Sequence, residues 1–412
     1  MSIKNTSIFD LLSNVLLFCT GFSIAFNTLE IKSISVSYVL LFTLLYTVSI
    51  LPRVSLRAIK KTYGKGALGF LLFFLYLIII NSVVSLFYDN RGKIPIVNPS
   101  ILLNVLFFYS VLIHSIKNEI APKIALYGFT IGTFCLSIFF LEGSQVALDI
   151  KSARLTIFEL NPNDLGIYMS MASIVIYSEL LLQDKLRFRL GRVVFLVPVF
   201  MMIAVMFATG SRTAFLIFVL SFLLSIIIHK SSSKKIRFLF VLASIVVAIV
   251  AYSAIKNGDY VVVERLMDSS DDDKTSGRVQ IWGALLPYIT SNPIFGYGEI
   301  GYYDISGPAL ATIQNHNYGA GYSPHNVFVE VAIYTGLIGL FLMFIFWRSV
   351  VKNAFSQYKH LKSITTILLF IPLFFALVSG QALVPRHYYL IYLMALIPSI
   401  NKNKKKYYEI SK

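Results

Sequence analysis

The sequence predicts an all-α polytopic integral membrane protein with about twelve transmembrane helices. Of its 412 residues, 57% are hydrophobic and only 14% are charged, whereas a soluble domain carries roughly 25% charged residues. Apolar runs of about 17–25 residues, which is the length that crosses a bilayer, recur along the chain. Because these runs are too numerous to be the buried helices of one globular core, the chain should span a membrane.

The predicted helices are apolar runs bounded by charged or turn residues. They lie near residues 8–26, 33–50, 67–87, 99–116, 120–140, 160–182, 191–209, 211–229, 236–255, 326–347, 364–380 and 383–400. The first run lacks a small-residue cleavage site, so it is interpreted as a retained helix and not as a signal peptide. The predicted organisation is nine helices in 1–255, one long loop in 256–325, three helices in 326–401 and a basic tail in 402–412.

Basic residues alternate between the loops in the way that the positive-inside rule requires. Of the 36 Lys and Arg residues, 25 fall in the two terminal segments and in every second loop. The long loop 256–325, between predicted helices 9 and 10, carries eight acidic residues against four basic ones. We therefore expect both termini in the cytoplasm and this loop outside it. The net charge of +16 is then a topology signal that also contacts membrane lipids, and no nucleic-acid partner is predicted.

Four arginines are predicted on the outer side, where topology gives them no role. They are Arg154, Arg212, Arg278 and Arg386. Arg212 follows Gly210-Ser211 in a corner between two helices, and burying a bare guanidinium there costs at least about 2.5–3.5 kcal/mol. For any single arginine, an interface anchor that snorkels is an equally good interpretation. Several arginines that converge would instead bind phosphate oxygens in pairs, and near the headgroup plane the natural anion is a lipid-linked phosphate.

His325 is the candidate proton acceptor. It lies in Ser323-Pro324-His325-Asn326, immediately before a predicted helix. An imidazole with an ordinary pKa near ~6.5 can take a proton from a hydroxyl at neutral pH. A loop histidine without a role is the simpler interpretation for one histidine alone, as His316 in the middle of the same loop illustrates.

Three further patterns are set aside. Residues Gly296–Gly301 match G-x-G-x-x-G, but no strand is predicted before them and no helix is predicted to open on them, so a turn or flexible loop is expected. Asp271–Asp273 lack the spacing of a calcium-binding loop, and no metal site is predicted. Asp164 and Glu330 near helix ends are interpreted as capping residues or as partners of the outer arginines, not as a proton relay.

Five motifs in a fixed order resemble the bacterial O-antigen ligase and O-antigen or capsule polymerase superfamily. They are N-P-N-D-x-G at Asn161–Gly166, Thr209–Arg212, Ser276–Arg278 with Trp282, Asn292–Gly298, and His325-Asn326 followed by Gly336–Gly339. The resemblance covers roughly residues 150–345, and the first 140 residues share only their helical, apolar character.

The resemblance implies a GT-C-like glycosyltransferase that takes a glycan from undecaprenyl diphosphate at the outer face of the bacterial inner membrane. Arg212 and Arg278 are similar to the family's diphosphate-binding arginines, and His325 to its proposed catalytic base. Asn163 and Asn326 lie within the motifs and are expected at the substrate, whereas Arg154 and Arg386 are assigned there mainly by their outer position. Inverting transfer without metal or cofactor is expected.

The glycan acceptor distinguishes the two enzyme functions that the sequence leaves possible, a polymerase and a ligase. A polymerase joins one lipid-linked repeat unit to another, with a chain-length regulator protein as a candidate partner, whereas a ligase transfers the chain to the lipid A core. The divergent amino-terminal half and the individual long loop favour a polymerase slightly. A lipid-linked oligosaccharide flippase is a remote alternative, since its charges should line a cavity at mid-membrane depth.

Overall fold

A computed structural model describes most of the predicted spans. The described residues are 8–31, 36–53, 56–87, 95–143, 146–149, 154–181, 196–228, 277–313, 319–361, 364–380 and 383–396. The predicted helix at 236–255, the acidic run Asp271–Asp273, His316 and the basic tail 402–412 lie outside these residues.

Helices account for most of the described chain, as the apolar runs predict. They are α1 (Ile8–Ile24), α2 (Tyr38–Ile50), α3 (Leu56–Val84), α4 (Pro99–Lys117), α5 (Ala121–Leu141), α6 (Pro162–Ile176), α7 (Leu196–Ala208), α8 (Arg212–Ile228), α9 (Arg278–Ser291), α10 (Gly298–Ala311), α11 (Val327–Leu361), α12 (Ile364–Leu368), α13 (Phe370–Ser379) and α14 (His387–Leu396). A 3₁₀ turn, Leu51–Arg53, follows α2, and a π-helical turn, Tyr177–Leu181, continues α6.

Length and composition suit four described segments to crossing a membrane. They are Gly64–Val84, Pro99–Lys117, Ala121–Leu141 and Val327–Lys359. Several shorter apolar helices accompany them, so the chain is a polytopic membrane protein. The number of twelve spans stays a prediction.

Two short antiparallel hairpins interrupt the helical pattern. Strand β1 (Glu30–Ile31) pairs with β2 (Val36–Ser37), and β3 (Val146–Asp149) pairs with β4 (Arg154–Ile157). In the second hairpin the backbone of Arg154 lies opposite Asp149. Arg154 therefore begins a strand of this hairpin. The alternating apolar residues of β4 suit a pleated ribbon.

The described helices belong to two compact units, each assembled from separate stretches of chain. The first comprises Met1–Ile50, Ile120–Ser269 and Gln357–Pro372, and the second comprises Leu51–Glu119, Ser270–Ser356 and Leu373–Lys412.

Small residues allow close helix packing in the first unit. A Cβ atom on Gly128 of α5 would lie 2.3 Å from the carbonyl oxygen of Phe18 in α1, so only glycine permits this approach. The buried hydroxyl of Ser170 in α6 donates to the carbonyl of Ala214 in α8 at 2.8 Å. Close backbone approach and interhelical hydrogen bonds are the usual means of joining helices in lipid.

Aromatic rings form the core of the second unit. The ring of Phe70 on α3 stacks on Phe346 of α11 with 4.8 Å between centroids, and meets the ring of Phe108 on α4 edge-on at 5.1 Å. Tyr389 on α14 packs edge-on against Phe70 at 6.0 Å. Such pairs contribute roughly 0.5–1.5 kcal/mol beyond their area burial. They fix α3, α4, α11 and α14 around one core.

Candidate active site

Helix α11 is interrupted at Gly336, after a short helical segment that begins next to His325. Gly336 has φ 60° and ψ −159°, which leaves neighbouring backbone groups without partners within the helix. The turn before α10 supplies them: Tyr297 N–H donates to the carbonyl of Ile333 at 2.8 Å, and Leu337 N–H donates to that of Pro293 at 2.8 Å. Each backbone group left without a hydrogen bond costs several kcal/mol in lipid. The break at Gly336 is therefore stable only because the turn before α10 binds the backbone groups that the break leaves free. The structure thus explains two of the sequence motifs, Asn292–Gly298 and Gly336–Gly339.

A helix does open on the glycine-rich motif, contrary to the prediction. Helix α10 starts at Gly298, and its first turn is held because Glu299 N–H donates to Asn81 Oδ1 at 2.8 Å. The preceding described element is helix α9 and not a strand, so the pattern is still not that of a dinucleotide-binding turn. Asn81 lies far away in sequence, which is why local patterns did not indicate this helix.

His325 occupies a strained position at the entrance of α11. Its φ is 51°, in the left-handed region that non-glycine residues rarely adopt. Neighbouring groups hold it there: its N–H donates to Ser323 Oγ at 3.2 Å, and Trp282 Nε1 donates to the carbonyl of Pro324 at 2.8 Å. Backbone strain that the surroundings maintain is concentrated at functional sites.

Asn326 is the N-cap of α11. Its Oδ1 accepts hydrogen bonds from the N–H groups of Phe328 at 2.9 Å and Val329 at 3.2 Å. This oxygen is therefore engaged inside the protein. By capping α11, Asn326 fixes the start of the helix beside His325.

Arg278 and His325 act on one another electrostatically within the second unit. Burial and the positive charge of Arg278 lower the pKa of His325 to about 4. The expectation of an unperturbed pKa near ~6.5 was wrong, because sequence could not show the burial or the arginine. The ring of Tyr322 meets the His325 ring edge-on, with 5.4 Å between centroids. Burial raises the pKa of Tyr322, and the positive charge of Arg278 offsets part of this rise. At neutral pH His325 is thus uncharged and able to accept a proton.

Arg212 lies in the tight corner that the sequence predicts, in the first unit. Helix α7 ends at Ala208, Gly210 has φ +64°, and Arg212 is the first residue of α8, where its side chain is half-buried. Ser211 Oγ donates to Asn163 Oδ1 at 3.3 Å and accepts from Ala214 N–H at 3.3 Å. Asn161 in turn caps α6, since its Oδ1 accepts from Asn163 N–H at 2.8 Å.

Two helix N-termini therefore meet at the Arg212 corner. The amino ends of α6 and α8 carry partial positive charge and backbone N–H donors, and an arginine beside them adds a full charge. Such a corner favours an anion. Asp164 lies in the first turn of α6. Asn163 uses its side-chain oxygen to join the two helices.

The remaining arginine, Arg386, lies half-buried immediately before α14, and its carbonyl accepts from Tyr389 N–H at 3.0 Å. The structure brings Arg278, His325, Asn326 and Arg386 into the second unit, and Arg154, Asn163 and Arg212 into the first. Convergence of Arg212 and Arg278 on one diphosphate stays a prediction. Within the described chain, no group of three or more His, Cys, Asp or Glu side chains could hold a metal ion.

Glu330 is not the cap or arginine partner that the sequence predicts. It is only 4% exposed in the first turn of α11, and its buried Oε2 accepts no hydrogen bond from any described residue. Sequence reasoning also missed Glu299, a half-buried residue whose Oε1 accepts a hydrogen bond from Asn98 Nδ2 at 2.7 Å. A glutamate within an apolar helix was the available signal for Glu330.

Comparison with known proteins identifies the segment that carries these residues. Residues 197–344 match the family model described as O-antigen ligase, and this stretch contains Arg212, Arg278 and His325. This match supports the resemblance of the segment to the O-antigen ligase and polymerase superfamily. No curated protein matches the chain. The family and the apolar helices indicate a multi-pass inner-membrane enzyme of glycan assembly, of the O-antigen ligase or polymerase type.

Proposed function

We propose that the protein transfers a glycan from undecaprenyl diphosphate to an acceptor hydroxyl at the outer face of the inner membrane, as a repeat-unit polymerase. The observation that carries the proposal is the pairing of a neutral, strained His325 with Arg278 inside the segment that matches the O-antigen ligase family. A ligase acting on the lipid A core is the second candidate, because the matching family model is that of the ligases.

In the proposed reaction, His325 removes the proton from the acceptor hydroxyl as its oxygen attacks the anomeric carbon. The bond from that carbon to the diphosphate oxygen breaks, and the polyprenyl diphosphate leaves with the bonding electrons. Arg278 and Arg212 stabilise the charge that develops on the leaving oxygens. One-step displacement inverts the anomeric configuration, and these residues require no metal ion or cofactor.

Arg278 also links donor binding to the basicity of His325 in this proposal. The arginine lowers the pKa of His325 while no anion is beside it. A bound diphosphate offsets the charge of Arg278, which raises the proton affinity of the imidazole. His325 therefore becomes the stronger base only when the donor is in place.

A gel profile of surface and lipid-linked glycans tests the proposal. The strains are a deletion of the gene, the deletion complemented with wild type, and the deletion complemented with His325→Ala. We expect His325→Ala to match the deletion while the protein still reaches the membrane. Acceptors capped with a single repeat unit indicate a polymerase, whereas long chains stranded on the polyprenyl carrier beside bare acceptors indicate a ligase. Normal polysaccharide from the variant would exclude the role of His325.

A further inference from the structure

The chain turns a tight corner at residues 383–386, immediately before α14. This corner carries Arg386, which the sequence predicts on the outer side, and it belongs to no helix or strand. Tyr389 N–H donates to the carbonyl of Arg386 at 3.0 Å, as expected for the first turn of the helix. The carbonyls of Leu383 and Val384 come before the helix, so their partners must come from elsewhere, because buried backbone groups are nearly always paired.

A buried asparagine of α4 donates to both of these carbonyls. Asn104 is fully buried, and its Nδ2 lies 2.6 Å from the carbonyl oxygen of Val384 and 3.4 Å from that of Leu383. Asn104 Oδ1 is buried as well, and no described residue donates to it. Because a leucine of similar size would bury no unpaired oxygen, packing alone does not explain an asparagine here. The hydrogen bonds that its amide donates to the corner do explain it.

The hydroxyl of Tyr389 holds the same corner from α14. It donates to the carbonyl of Leu383 at 2.8 Å, and this tyrosine is also buried. The ring of Tyr389 meets that of Phe108 edge-on, with 6.3 Å between centroids. Phe108 follows Asn104 by about one helical turn, so both lie on the same face of α4. One face of α4 thus fixes the corner directly through Asn104 and indirectly through Tyr389.

Both sides of this contact are predicted near the outer face. With the termini in the cytoplasm, the predicted helices near 99–116 and 383–400 both run from the outer side inward. Asn104 lies near the start of the first, and the 383–386 corner lies at the start of the second. The hydrogen bond between Asn104 and Val384 agrees with this topology, because it joins two residues of the same predicted depth.

We propose that Asn104 is a positioning residue that holds the 383–386 corner, so that the guanidinium of Arg386 is kept in one position for the diphosphate of the donor. The inference rests on the proposed function, because that function supplies the diphosphate. Arg386 is half-buried and belongs to the same compact unit as Arg278 and His325. Its planar guanidinium can bind two phosphate oxygens at once, and this geometry is lost when the backbone that carries it moves.

The test measures initial rates of transfer by purified full-length protein in lipid vesicles, with a polyprenyl-diphosphate-linked oligosaccharide as donor. Asn104→Leu keeps most of the side-chain volume but has no N–H, so we expect the KM for the donor to rise roughly tenfold. Tyr389→Phe removes only the hydroxyl that binds Leu383, and its KM should change in the same direction. Ser115→Ala is the matched control and should keep the wild-type KM, because Ser115 is buried on the same helix and its hydroxyl donates to the carbonyl of Val111 within α4.

A double-mutant cycle separates positioning of Arg386 from a general loss of structure. If Asn104 acts through Arg386, Asn104→Leu should raise the KM of the wild type but change it by less than about twofold when Arg386→Ala is already present. An equal rise of KM in both backgrounds would overturn the inference, because Asn104 would then act independently of the arginine. An unchanged KM in the wild-type background would overturn it as well.

Thiol labelling examines the corner without any substrate. Arg386→Cys is introduced into a chain whose native cysteines, Cys19 and Cys135, are replaced by serine, and the rate of maleimide labelling is measured. We expect Asn104→Leu to raise this rate several-fold, since a released corner exposes position 386 more often. Equal labelling rates would overturn the inference.

The two measurements distinguish this inference from the proposed function. If the wild-type protein transfers no glycan while Asn104→Leu speeds the labelling, the proposed function is wrong and the role of Asn104 in holding the corner stands. If the wild type is active while Asn104→Leu changes neither the KM nor the labelling rate, the positioning role alone is wrong.

Discussion

His325 combines a left-handed backbone conformation, partial burial and a neighbouring arginine. Each of these features costs free energy, because a histidine in an exposed loop would have an unstrained φ and a pKa near its usual value. The hydrogen bonds from Trp282 to Pro324 and from His325 to Ser323 maintain the arrangement. The side chain is thus held in one place in its neutral form, which is the form that a general base requires.

The lowered pKa of His325 leads to a prediction about acid pH. Because this pKa is about 4 in the protein without substrate, kcat/KM should keep its value at pH 5.5 to within about twofold. The profile of kcat should decline at a higher pH, since bound diphosphate offsets the charge of Arg278. Initial rates measured from pH 4 to 8 would show both limbs. An acid limb of kcat/KM near ~6.5, the ordinary histidine value, would contradict this environment.

The interruption of α11 is the element that places the base. The segment Val327 to Thr335 is a short helix whose entrance carries His325, and its far end is fixed by the turn before α10. A continuous helix would lack the exposed carbonyl of Ile333 and the exposed N–H of Leu337 that this turn binds. The glycines of both motifs therefore serve one interlocking contact.

Replacing Gly336 by alanine should separate the two elements. A Cβ atom at this position would lie 2.3 Å from the carbonyl oxygen of Ile294, and φ is +60°. We expect a loss of about 1–3 kcal/mol in stability, seen as a lower Tm, together with loss of transfer. Gly283→Ala is the control, since a Cβ there meets nothing within 4 Å and alanine favours the helix. An unchanged Tm for Gly336→Ala would contradict the importance of the interruption.

The N-cap at Asn326 gives a second prediction for this element. Asn326→Ala should cost about 0.5–2 kcal/mol and lower kcat by loosening the position of His325. Asn326→Ser retains a capping oxygen, so it should keep most of the stability and rate. If serine is as inactive as alanine while its Tm is normal, Asn326 contacts the substrate directly instead of positioning the helix.

At the scale of the whole chain, topology determines which residues can meet a lipid-linked donor. The basic segments predict both termini in the cytoplasm, so Arg212, Arg278 and His325 are all expected on the opposite side. Reporter fusions test this arrangement. A C-terminal fluorescent protein should be bright, and alkaline phosphatase inserted between residues 256 and 276 should be active. An inactive insertion with a dim fusion would invert the assignment and exclude the proposed donor face.

The two units divide the candidate residues between them, with Arg212 in one and Arg278 and His325 in the other. Both arginines lie next to helix N-termini, since Arg212 and Arg278 are the first residues of α8 and α9. Each of the two arginines thus lies beside the backbone N–H donors of a helix N-terminus.

Sequence by itself determined the membrane class and the approximate spans. The length of an apolar run and the charges that flank it decide whether a segment enters a bilayer, and both are local properties of the sequence. The corner at Arg212 was predictable for the same reason, because Gly and Ser act on backbone within a few residues. Asn326 was predicted at the substrate, and its role as a helix cap came from the structure.

Only the tertiary structure decided the features that depend on distant partners. Helix α10 opens because Asn81, more than two hundred residues away, caps it. The break at Gly336 persists because another turn satisfies its backbone groups. The lowered pKa of His325 arises from burial and from the charge of Arg278, which folding brings close. Local patterns carry none of this information, since electrostatic and hydrogen-bond energies depend on distance in space and not along the chain.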